Sequence, residues 1–218
     1  FTLDLNGKTL SFNDTAIVHN GSGKLTIQDS AGGSGSLHID LSASNPAAHT
    51  IRLGNTAAAT VLEITGGRIG QNAGDGCAIL IEGKGSVVIS GGTVRSGGIY
   101  HNGTGNVTVS GSAEVKGGAN PCVYLANTGR LIVDGGKVTG DYGTAIYFAG
   151  YGDTGWNSPQ IQILNNGVVS NASQDNPTIY MENANVINYP LAILMMNGTV
   201  NNTASEGVAI AGVSSKTV

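Results

Sequence analysis

The chain has 218 residues, 35 of them glycine, a net charge of −4, and only 11% charged and 5% aromatic residues against a hydrophobic fraction of 40%. That balance excludes a disordered chain, which needs low hydrophobicity and high charge, a coiled coil rich in Ala, Glu, Lys and Leu, and collagen, because glycine does not recur at every third position. No apolar run approaches the roughly 20 residues of a membrane span, and the negative charge argues against nucleic acid as a partner, which leaves an all-β protein forming one domain over residues 1–218.

The chain opens on Phe1-Thr2-Leu3-Asp4-Leu5, already strand-like, and is expected to be a piece of a longer multidomain protein. A unit of the form apolar-x-apolar-x-Gly-Gly-x-apolar then recurs. Its clearest copies start at Leu62, Val87 and Leu131, and looser ones at Leu3, Leu25, Val107, Ile161 and Ile193. Between copies runs a second short strand whose first inward residue is Ile17, Ile51, Ile79, Ile99, Val123, Ile146, Ile179 or Val208. The step from second strand to next copy is 8 residues at Ile17–Leu25, Ile79–Val87, Ile99–Val107 and Val123–Leu131. A full period is about 20 to 24 residues, the range of solenoid repeats.

Short strands at a fixed period, with Gly and Asn where tight corners need left-handed backbone, describe a stack of coils. Ile, Val and Leu at alternate positions point to one interior, and coils stack about 4.8 Å apart so that like residues form ladders. The pattern predicts a single-stranded right-handed parallel β-helix of about seven to eight coils. A leucine-rich repeat has a similar period but needs Leu-x-x-Leu-x-Leu and a helical return, and neither is present.

Thr2-Leu3-Asp4-Leu5-Asn6-Gly7-Lys8-Thr9-Leu10, followed by Leu25-Thr26-Ile27-Gln28-Asp29-Ser30 and the Ile-Ser-Gly-Gly-Thr-Val type units, resembles the pectin-lyase-like β-helix superfamily. More narrowly it resembles the β-helical modules of large surface proteins of gut anaerobes. The resemblance implies the fold. It also implies that an enzyme of this kind would gather carboxylates on neighbouring coils, for acid–base work or to hold calcium.

Acids are scarce at the corresponding positions. The first outward column reads Thr26, Glu63, Val88, Thr108, Ile132, Gln162, Leu194, and the column two residues on reads Gln28, Thr65, Ser90, Ser110, Asp134, Leu164, Met196. Neither stacks two acids, whereas glycoside hydrolysis needs a pair about 5–10 Å apart. After the glycine corner come Arg68, Thr93, Glu114, Lys137, Val168 and Thr199, in which Glu114 and Lys137 are expected to pair across coils. His19 and His101 fall in an inward column as satisfied core residues, and His38 and His49 stand isolated. Cys77 and Cys122 lie two coils apart, beyond disulfide reach, and are expected to be free and buried. Gly74-Asp75-Gly76 and Gly152-Asp153-Thr154-Gly155 read as turns, since neither matches a calcium loop. No catalytic residue, metal or cofactor is expected.

One column stands out. The residue after each inward Ile or Val of the second strand points outward, and along the coils it is Val18, Arg52, Leu80, Tyr100, Tyr124, Tyr147, Tyr180 and Ala209. Four consecutive tyrosines form either a purely structural ladder or an aromatic strip for a ligand. The 8-residue step lengthens to 15 after Ile146 and 14 after Ile179, at the same corner beyond the column. The inserted loops bring Tyr151, Asp153 and Trp156 in one case and Tyr189 in the other, and long loops on a rigid scaffold are where binding is usually found. The expected function is a non-catalytic module of an exported, extracellular bacterial surface protein, monomeric and binding a host or microbial glycan or surface protein. The alternative is a polysaccharide-active enzyme with carboxylates near Asp134, Asp141 and Asp153.

Overall fold

The computed structural model describes residues 1–40, 48–54, 60–71, 76–149, 159–182 and 193–212. They form three parallel sheets of eight strands, and each coil contributes one strand to each sheet. Coil 1 comprises Thr2–Asp4, Thr9–Phe12 and Ile17–His19; coil 8 comprises Ile193–Met196, Thr199–Asn202 and Ile210–Gly212. The chain is a right-handed parallel β-helix of eight coils, as the repeat predicts. Among the described residues no helix is long and apolar enough to cross a membrane.

Like residues stack on like. In the first sheet Leu62, Val87, Val107, Leu131 and Ile161 are in register, and in the third Ile51, Ile79, Ile99, Val123 and Ile146 are. These side chains are almost wholly buried in one continuous core. The alternation of strand side chains makes this work: every second residue of all three strands points to the same axis, so burial of Ile, Val and Leu drives each coil onto the next. The glycine corner turns the first strand into the second. Gly92 adopts φ 74°, and a Cβ there would run into the carbonyl of Gly67 one coil below. Asn does the same task near the ends, at Asn6, Asn165 and Asn197.

The structure departs from the sequence reading in three respects. The residues after the glycine corner form a full strand of their own, such as Thr93–Arg95 or Lys137–Gly140, so each coil has three strands and not two. In coil 1, Leu3 pairs with Ile27 and not Leu25, and in coil 8 Ile179 pairs with Ile210 and not Val208. Ala211, not Ala209, therefore ends the tyrosine column. Both shifts are of two residues, which leaves the inward and outward assignment intact, because the side-chain period of a strand is two.

The cysteines are free and buried, as expected. Cys122 occupies a threonine-like position. Thr50 donates to the carbonyl of Gly70, Thr178 to that of Asn201 and the Cys122 thiol to that of Thr139, each reaching the second sheet of the next coil. Burial pushes the Cys122 thiol up to about 12.

Candidate functional site

The outward column of the third sheet holds Tyr100, Tyr124, Tyr147 and Tyr180 in register, preceded by Leu80 and Arg52 and followed by Ala211. Each third-sheet strand is only three residues long, so it has a single outward position between two inward ones. The ring centroids of Tyr100 and Tyr124 lie 4.9 Å apart at an interplanar angle of 10°, those of Tyr124 and Tyr147 4.8 Å apart at 8°. Tyr180 lies 5.1 Å from Tyr147 but tilts by 45°. The inner rings turn their faces to one another. Tyr100 is exposed, and Tyr124, Tyr147 and Tyr180 are half-buried. Tyr147 is held in its neutral form, with its pKa raised to about 12 by partial burial and by the Glu182 carboxylate beside it. At the other end of the column Arg52 pairs with Glu82 at 2.7 Å.

Beside the ladder lies a cleft of about 310 Å³ lined by Tyr100, Tyr124, Gly97, Ile99, Asn120, Pro121, Gly76 and Cys77. That volume falls at the lower end of small-molecule sites. Beneath it is a contact the sequence reading missed: His49 is not isolated. Its Nδ1 accepts the Cys77 backbone N–H at 3.2 Å and lies 3.3 Å from the Cys77 thiol sulfur. The signal was there, since counting back two residues from the paired Ile51 and Ile79 gives His49 and Cys77. Burial lowers the His49 pKa and pushes the Cys77 thiol up to about 12. At neutral pH both groups are therefore uncharged, and the pair is not the thiolate–imidazolium of an activated nucleophile.

His101 is the satisfied core residue expected. Nδ1 accepts the Gly103 N–H at 3.2 Å, so Nε2 carries the hydrogen donated to the Gly105 carbonyl at 2.7 Å. Burial lowers its pKa. His19 makes the equivalent contact, 3.3 Å to the Gly23 carbonyl, but is only half-buried in coil 1. Glu114 and Lys137 are in register yet form no ion pair; among the described residues the pairs are Lys24–Glu63, Arg52–Glu82 and Lys116–Asp141.

The expected loop residues Tyr151, Asp153, Trp156 and Tyr189 lie outside the described residues, as does Asp75. The acids of the alternative reading are engaged separately. Asp134 accepts from the Asn165 amide, and Asp141, beyond the far end of the strand Lys137–Gly140, pairs with Lys116 at 3.4 Å. No group of three or more His, Cys, Asp or Glu among the described residues could hold a metal ion. No family model, curated protein or solved structure matches the chain.

Proposed function

We propose that this chain is a non-catalytic β-helical module of an exported bacterial surface protein, of the pectin-lyase-like kind its sequence resembles, which binds a glycan or a surface protein outside the cell. The observation that carries the reading is the tyrosine ladder with the cleft at its side. A structural ladder needs no cleft beside it; a binding face uses one. The exposed Tyr100 and the half-buried Tyr124 belong to ladder and cleft alike, so a ligand seated in the cleft touches ring edges and hydrogen-bonds phenol hydroxyls. Sugars and peptide surfaces both offer that mix of apolar C–H and polar groups.

The test is a glycan array and a mucin-binding assay with the wild-type chain and the Tyr124→Ala/Tyr147→Ala variant. The expected result is saturable binding by the wild type that the variant loses while its circular dichroism spectrum stays that of the β-helix. No binding by the wild type above background, or equal binding by the variant, overturns the ligand-binding part.

A further inference from the structure

The outer face of the second sheet carries a different site. On coils 2 to 4 three rungs stand in register: Ser36 and His38, Arg68 and Gly70, Thr93 and Arg95. Alternate residues of a strand face the same side, so these six positions form a grid. Gly70 leaves one grid point without a side chain, with His38 on one neighbouring strand, Arg95 on the other and Arg68 beside it. The stem of Arg95 leans over the gap, since a Cβ on Gly70 would lie 3.1 Å from Arg95 Cγ. The result is a cleft of about 240 Å³ lined by Ser36, His38, Arg68, Gly70, Arg95 and Ser96.

No acid lines this cleft. Neither Arg68 nor Arg95 takes part in an ion pair among the described residues, although the chain has only ten Lys and Arg and a net charge of −4. Glu114, on the next rung from Thr93 and diagonal to Arg95, joins none of the pairs either. Two guanidinium groups, an imidazole and the Ser96 hydroxyl therefore line one cleft, while the Ser36 hydroxyl at its rim donates to the Thr9 hydroxyl at 3.1 Å. A planar carboxylate has two oxygens, and one guanidinium fork satisfies both. Donors placed on three rungs suit a group with oxygens in several directions.

We propose that this cleft binds a tetrahedral oxyanion, a sulfate or phosphate group, free or as an ester. Arg68 and Arg95 supply charge and forked donors, and Ser96 and His38 complete the shell. The site goes beyond the tyrosine-face reading and does not depend on it.

Calorimetric titration of the whole chain at constant ionic strength tests it, with inorganic sulfate, inorganic phosphate and acetate as probes. The expected result is saturable binding of sulfate or phosphate and at least about tenfold weaker binding of acetate. The Arg68→Gln/Arg95→Gln variant loses at least about tenfold in affinity with an unchanged melting temperature. Lys137→Gln, which removes a cation from the same face outside the cleft, binds as the wild type does. A preference between the two ions identifies which ester the site is built for. No saturable binding of either ion, acetate binding as tightly, or undiminished binding by the double variant overturns the proposal.

Discussion

The outer faces of the second and third sheets obey one geometric rule and end in opposite compositions. On both, each outward residue stands directly above its counterpart in the coil below, about 4.8 Å away. The third sheet repeats one residue, tyrosine, through four coils. The second sheet changes at every rung: Ser36, Arg68, Thr93, Glu114, Lys137. Stacking favours aromatic rings, whose contacts add about 0.5–1.5 kcal/mol per pair beyond area burial. It disfavours like charges, which repel by about 1 kcal/mol at this spacing even in water. Where Arg95 and Lys116 do meet in register, Lys116 turns to Asp141. The two faces share a boundary: Ser96 lines the basic cleft and Gly97 the tyrosine cleft, in a turn whose residues Ser96, Gly97 and Gly98 all have positive φ.

If the faces differ only outside the core, replacing the residues beneath them must cost the same. Ile69→Ala, under the basic face, and Ile99→Ala, under the tyrosine face, are each expected to lose about 2–5 kcal/mol in urea denaturation. A large inequality would mean that one outer face carries core-like stability. The next effect is on the ladder itself. Tyr124→Ala removes two flat stacking contacts and should cost about 1–3 kcal/mol, whereas Tyr180→Ala, which ends the ladder with one tilted contact, should cost less than half of that. Equal costs would show that the rings act singly.

Acidification separates the interior from the surface. His49 and His101 are held below the usual histidine value, chiefly by burial. Their folded-state contribution is full above about pH 6.5 and is lost as pH falls through their depressed values, because the unfolded chain takes up protons first. Asp4, lowered from 3.8 to about 2 by the Ser30 backbone N–H and the Gln28 side chain, contributes stability that is lost only between those values. Urea midpoints at pH 7.5, 5.5 and 3 should therefore fall in two stages, and the His101→Leu variant should flatten part of the first. The smallest effect is predicted on the basic face. Arg68→Gln should change stability by no more than about 0.5 kcal/mol, since an exposed unpaired cation contributes little; a larger loss would make Arg68 structural and not a ligand group.

The core, the glycine corner and the tyrosine column were legible because each repeats with a fixed period. Leu62, Val87 and Leu131 announce themselves as equivalents, and four tyrosines in one column follow from counting. The registers of Leu3 and Val208 were not legible. A two-residue slip keeps every apolar side chain inward, so hydrophobic pattern is blind to it, and backbone pairing at the end coils decides. Coil 8 has a neighbour on one side only among the described residues, and its inward positions Met195 and Ile210 stay 45% and 46% exposed, so burial constrains them weakly. The His49–Cys77 contact lies two residues before the paired Ile51 and Ile79, outside the strands themselves, where the alternation of apolar residues carries no signal.

By itself the sequence determined the solenoid, the identity of its interior and the existence of an aromatic column, because alternation and repetition are local properties that every coil states again. Only the tertiary structure decided what those columns offer. Flat stacking turned the inner tyrosine faces to one another. A glycine at one rung, between a histidine and an arginine on the two neighbouring strands, became a basic cleft. Both depend on which side chains the register places next to each other across coils, and that is settled by backbone hydrogen bonding and not by any one segment of the chain.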